Sequence, residues 1–166
     1  MSTRSRIAPP FENVVEQHGP MVLRVCRALL GPGADADDAW SETFLSALRA
    51  YPQLPADANT EAWLVTIAHR KAIDVVRSRH RRPVPLAEVP EPPPHHLPDS
   101  ADTGIWQQVA ALPPRQRQVL AYRYLAGLPY SDIATITGGT AAAARRAAAD
   151  GIATLRRTLA TTEDVR

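Results

Sequence analysis

The sequence predicts an all-α protein of two small helical domains, and three observations predict it. Apolar residues recur at three-and-four spacing through successive segments from Phe11 to Leu159. A Pro-rich, acidic stretch over residues 83–102 holds seven Pro, four acids and no Lys or Arg, a composition that cannot build a core and reads as a linker. After it come a short helix, a glycine turn and a longer helix, with a supporting helix in front, which is the helix-turn-helix pattern. At 166 residues, with 45% hydrophobic and 22% charged, the composition is globular.

The first helix is expected from Phe11 to Leu30, with a possible kink at Gly19-Pro20, and Gly31-Pro32-Gly33 breaks it. Asp35 is the expected N-cap of a second helix running to about Arg49, with Asp37 and Asp38 in its first turn, where the helix dipole favours negative charge. Trp40, Phe44, Ala47 and Leu48 form its apolar stripe; Asp37, Asp38 and Glu42 fall on or near the opposite side. Phe11 to Ala50 carries six acids against three Arg, a net charge of −3.

Asn59 or Thr60 caps a third helix that runs until Pro83 stops it. Trp63, Leu64, Ile67, Ala68 and Val75 face a core, while Arg70, Arg77, Arg79, Arg81 and Arg82 fall mostly outside that stripe. Six Lys/Arg stand against one Asp between His69 and Arg82, a local charge of +5 in a chain whose net charge is +2. Solvated faces usually mix Glu with Lys; this one hardly does, and it suits a polyanion. The expected domains are 11–82 and 103–160, with 83–102 as linker.

Beyond the linker, Thr103 to Ala111 is a short helix, and Pro114 opens another that carries Val119, Leu120, Tyr124 and Leu125 and ends near Gly127. Tyr130 to Thr137 follows, Gly138-Gly139 makes the turn, and Thr140 caps a final helix with Ala144, Ala148, Ile152, Leu155 and Leu159 inward. Arg145 and Arg146 point away from that stripe, as major-groove contacts require, and Thr140 with nearby amides can meet a phosphate.

Several function classes are disfavoured. No run of about 18 apolar residues spans a membrane, MSTRSRIAPP lacks the apolar segment of a secretory signal, and a cytoplasmic location is expected. Cys26 has no partner, so disulfides and cysteine zinc sites are excluded. His95-His96 has no helical metal-ligand spacing, and no phosphate loop or catalytic triad motif is present. No enzyme, metal or cofactor is expected.

Three segments, DADDAWSETFLSALRAY at 35–51, EAWLVTIAHRKAIDVVRSRHRR at 61–82 and ALPPRQRQVLAYRYLAGLPYSDIATITG at 111–138, resemble in order and spacing the bacterial RNA polymerase sigma factors of the extracytoplasmic-function (ECF) type. The resemblance implies a subunit that binds core RNA polymerase, through the β′ clamp helices and the β subunit, and directs promoter recognition, melting and initiation. It implies polymerase docking by Asp35, Asp38, Ser41 and Glu42, and −10 contacts by Arg70, Lys71, Asp74, Arg77, Arg79 and Arg81. For the −35 element it implies Arg115, Thr140, Ala142, Arg145 and Arg146. Promoter DNA is the implied ligand and an anti-sigma factor a further candidate partner; no membrane partner is implied. Two departures stand out: Ser41 replaces the family's usual Gln, and Ala142-Ala143-Ala144-Arg145-Arg146-Ala147 replaces a Gly-Thr-Val-Lys-Ser-Arg opening. These motivate the alternative of a sigma-like helix-turn-helix DNA-binding regulator without productive polymerase docking.

Overall fold

A computed structural model describes residues 8–81 and 103–164. It is all-helical among those residues: α1 (Phe11–Leu30), α2 (Ala34–Ala50), one 3-10 turn (Tyr51–Gln53), α3 (Thr60–Arg81), α4 (Thr103–Ala110), α5 (Pro114–Tyr124), α6 (Tyr130–Thr137) and α7 (Ala141–Asp164). Helices α1, α2 and α3 pack on one another, and α7 packs on α5 and α6. Residues 83–102, expected to be the linker, lie outside the described residues, as does Arg82.

Helix α1 runs through Pro20 as a single element. Trp40 donates its indole N–H to the Gly19 carbonyl at 3.0 Å, which ties α2 to the middle of α1. Phe11, Trp40, Phe44 and Tyr51 form a chain of tilted and edge-on ring contacts 4.8–6.4 Å apart that closes one end of this unit. Asn59 Oδ1 accepts from the Ala62 N–H at 3.0 Å and caps α3.

Four expectations are corrected. Gly33, not Asp35, is the N-cap of α2; Asp35 sits inside the first turn, so its carboxylate is free to reach elsewhere. Leu48 is 51% exposed: the buried stripe of α2 runs Ala36, Ala39, Thr43, Phe44, Ala47, and position 48 falls beside it. Tyr124 is 59% exposed while Tyr122 is fully buried, because α5 meets both α7 and α1 and buries Val119, Leu120, Ala121 and Tyr122. Leu159 is exposed because the last turns of α7 run past the core, whose inward line is Ala144, Ala147, Ala148, Gly151 and Leu155.

The helix-turn-helix is held by close backbone approach. A Cβ at Gly151 would lie 2.8 Å from Leu120 Cδ1 and 3.4 Å from the Gln116 Cβ, so the Leu120 side chain of α5 packs directly on the α7 backbone there. Leu120 is itself buried and has nowhere to move. Gly151→Leu should therefore destabilise the protein by about 2 kcal/mol, in spite of leucine's better helix propensity, as read by thermal unfolding. Between α6 and α7 the chain turns through Gly138 and Gly139 at φ +86° and +88°, a region that L side chains rarely adopt.

Candidate nucleic-acid interface

Helix α3 has one face in the core and one in solvent. Leu64, Val65, Ala68 and Ala72 are buried, with Trp63, Ile67 and Val75 partly so. Arg70, Asp74, Arg77 and Arg81 follow at steps of four, three and four, so they line one stripe, and all are exposed. Lys71 is half-buried beside them. The stripe carries three guanidiniums and one carboxylate, a track that matches a phosphate backbone in sign and reach.

Arg79 lies elsewhere. Its Nε donates to Asp35 Oδ2 at 2.6 Å and its Nη2 to the Leu30 carbonyl at 3.1 Å. A residue expected on −10 DNA and one expected on polymerase are thus joined to each other, pinning the end of α3 to the start of α2. Both side chains are nearly half exposed, so the ion pair contributes little, about 1 kcal/mol or less. Its effect is geometric: it occupies Asp35 and orients the α3 terminus.

Asp38, Ser41 and Glu42 are exposed on one face of α2, with Leu45 (50%) and Leu48 (51%) beside them. Sequence periodicity assigned Leu48 to the core and singled out no role for Leu45. The signal that finds them is that both fall off the 36, 39, 43, 44, 47 line. An acidic edge with two bare leucines next to it is surface chemistry suited to another protein, since the leucines gain by burial and the acids select a basic partner.

In the helix-turn-helix, Thr140 Oγ1 accepts from the Ala143 N–H at 3.1 Å and caps α7, which leaves its O–H free to donate. Arg115 donates to the Gly138 carbonyl at 2.9 Å, bracing the turn, and a Cβ at Gly139 would come within 2.8 Å of its guanidinium. Ala142, Arg145 and Arg146 are exposed at the start of α7. Arg145 leans on the Tyr130 ring at 5.5 Å, and Arg123 sits on the same ring at 4.7 Å while donating to the Leu128 carbonyl. Tyr130 drew no attention in the sequence, because a half-buried tyrosine at a helix start resembles any packing residue. Ala147, where an arginine was missed, is almost fully buried.

Two buried polar side chains were also unforeseen. His69 on α3 and Tyr122 on α5 meet across the two helical units, Nδ1 to hydroxyl at 2.6 Å, with rings edge-on at 5.7 Å. Burial, then the neighbouring Arg70 charge, lowers the His69 pKa; burial, then Cys26, raises that of Tyr122, against a smaller opposite pull from Arg117. Cys26, buried and near Asp37, is pushed up to about 12, a thiol with no nucleophilic character at neutral pH.

The lowered histidine gives a signed pH prediction. Once unfolded, His69 binds a proton near its ordinary 6.5, whereas in the folded protein it stays neutral to lower pH. The stability it contributes is complete above that value and is lost as pH falls below it toward the folded pKa. Melting temperature should drop between pH of about 7.5 and about 5.5 more for the wild type than for His69→Gln.

Among the described residues no cluster of three or more His, Cys, Asp or Glu is disposed to hold a metal ion, and no helix is long and apolar enough to cross a membrane.

Comparison with known proteins matches residues 14–82 to the Sigma-70 region 2 family and residues 103–155 to the Sigma-70, region 4 family. The ECF RNA polymerase sigma factor SigD of Mycobacterium tuberculosis is 31% identical over 148 residues, covering 81% of this chain and 70% of that protein. The RNA polymerase sigma factor CarQ of Myxococcus xanthus is 28% identical over 154 residues, covering 90% of this chain and 88% of that one. The fold is shared with the sigma factor RpoE of Bartonella quintana, solved with the anti-sigma factor NepR, at TM-score 0.72, 19% identity, and coverage of 90% and 96%. CnrH, solved with the cytosolic domain of CnrY, has TM-score 0.67 at 20% identity, with 91% and 88% covered.

Proposed function

The chain belongs to the ECF class of RNA polymerase sigma factors, and we propose that it divides the work of a promoter-specificity subunit among three of its faces. The acidic and leucine-bearing face of α2, with Asp38, Ser41, Glu42, Leu45 and Leu48, docks on the β′ clamp helices of core polymerase. The stripe Arg70, Asp74, Arg77 and Arg81, with Lys71 beside it, holds the −10 element. The start of α7, with Ala142, Arg145 and Arg146, meets the −35 element, and Arg115 and Thr140 shape that surface from behind while α5 to α7 face the β subunit.

The observation that carries the division is the separation of sign on adjacent helices: the exposed face of α2 is acidic and that of α3 basic. Unpaired promoter bases need a surface that binds backbone and base faces together, and a basic stripe flanked by partly buried Trp63 and Ile67 supplies both terms. Arginine at α7 adds phosphate or base contacts, whereas Ala142 offers at most a methyl contact to thymine. The protein carries out no catalysis of its own and works in the cytoplasm, where its polymerase is. An anti-sigma factor is a candidate partner, since RpoE of Bartonella quintana was solved in complex with the anti-sigma factor NepR.

The rival reading, a DNA-binding regulator that never docks productively, draws on Ser41 and on the alanines that open α7. Permanganate footprinting of a cognate promoter with core polymerase and this protein separates the two. Reactive thymines at the −10 element are expected; protection of the −35 element alone, with no reactive thymine, favours the rival.

A further inference from the structure

Over residues 141–157 of α7 there are four arginines and a single acid, Asp150. Ala144, Ala147, Ala148, Gly151 and Leu155 turn into the core. At about 3.6 residues per turn, the side opposite them is led by Ala142, Arg146, Ala149 and Ala153, with Asp150 on its flank, and all five are exposed. The acid is therefore on the face that α7 turns outward. Its ordinary explanation is a solvated ion pair with Arg146, four residues earlier. That order, cation before acid, is the weaker one on a helix, and the ion pairs among the described residues are others: His18 with Glu61, Arg27 with Asp37 and Arg79 with Asp35. Arg157, the next cation along the same flank, donates to the Thr154 hydroxyl at 3.1 Å instead.

What this carboxylate does depends on where α7 lies, and so rests on the reading of α7 as the helix that meets the −35 element. Against a phosphate backbone an acid is repelled whatever the sequence, and it lowers affinity everywhere unless a group in the groove compensates it. The major groove holds one group suited to that. Cytosine presents its N4 amine there as a donor with no acceptor beside it, whereas adenine sets N7 next to its amine, and guanine and thymine present acceptors without a donor. Reach is the second condition, because an aspartate side chain is short. Ala142, Ala149 and Ala153 add only methyl groups to this face, so the helix backbone can settle toward the base edges where longer side chains would hold it off.

We propose that Asp150 is a specificity-determining residue of the −35 contact, its carboxylate accepting a hydrogen bond from the N4 amine of a cytosine close to the base pair met by Arg146. The two residues are separated by roughly 6 Å along the helix axis, against roughly 3.4 Å per base pair, which places that cytosine one or two pairs away. Asp150 supplies a base-edge hydrogen bond that the alanines of this face cannot.

Selection from a pool of promoter duplexes with the −35 element randomised, using core polymerase loaded with the full chain, reads this preference directly. The wild type should favour cytosine at one position by about tenfold. Asp150→Ala should abolish that preference, leave the other positions as they were, and bind duplexes lacking the cytosine more tightly than the wild type does. Asp150→Asn should admit adenine at the same position, because a side-chain amide pairs with both N6 and N7. The site is exposed and alanine is the better helix former, so both variants should fold, with melting temperature as the control. A base preference that Asp150→Ala leaves unaltered, or tighter binding of every sequence alike, overturns the assignment, since the carboxylate then only repels the backbone. A wild-type profile flat at every position is a different failure: it refutes the −35 reading of α7, and the role of Asp150 with it.

Discussion

Reversing both acids on the exposed face of α2, Asp38→Lys with Glu42→Lys, should lower affinity for core polymerase about 100-fold, an effect of the size seen when charges at a docking surface are turned against their partners. Both residues are exposed. Neither belongs to the Ala36, Ala39, Thr43, Phe44, Ala47 stripe, so the fold should survive, and melting temperature is the control. Binding to an isolated −10 single strand should be unchanged or improved, because the double change shifts the net charge beside the α3 stripe by +4, removing two acids and adding two cations. Equal loss of both activities would mean that α2 supports the DNA surface instead of docking. Asp35 makes a weaker target: its carboxylate is engaged by Arg79, so Asp35→Lys would disturb the α2–α3 junction along with any docking.

The second large effect concerns α7. Arg146→Ala should weaken promoter binding by about 1–3 kcal/mol if the guanidinium grips a base edge in bidentate fashion, and the loss should be confined to one base pair when that pair is varied. Arg145 is expected to differ. It leans on Tyr130, which positions it nearer the turn and the backbone, so Arg145→Ala should weaken all sequences alike and reduce the salt slope by about one. Binding isotherms on single-substituted −35 duplexes at several salt concentrations read both. The opposite pattern, base preference lost with Arg145 and uniform weakening with Arg146, would exchange their roles.

Much of the fold was legible because the helices announce themselves twice, by apolar spacing and by caps. Asn59 and Thr140 cap as expected, Gly31 and Gly138 terminate α1 and α6, and the basic run on α3 is exposed where periodicity placed it. Three of the four misreadings share one physical cause. Leu48, Tyr124 and Leu159 were assigned inward by a repeat that assumes each helix has one buried side, whereas burial depends on how many neighbours a helix has and where they end. Helix α5 is flanked by α7 and α1, which moves its buried set to 119–122 and places Tyr122, not Tyr124, at the centre.

The candidate site divides in the same way. The charges on α2 and α3 were visible as sign and spacing, and they lie on exposed faces. Pairings between distant residues were not visible: Arg79 with Asp35, Arg115 with Gly138 and Tyr130 with Arg145 depend on helices meeting. His69 reads in the sequence as one more basic residue of a polar run, and nothing near it in the chain signals that residue 122 will cover it.

Mapping the 5′ ends of transcripts made by core polymerase with and without this protein tests the central claim most directly. Defined new start sites, each preceded by a shared pair of upstream elements and lost with the Asp38→Lys, Glu42→Lys variant, are the predicted result. Binding to promoter DNA with no new start site at any concentration of core polymerase would contradict it.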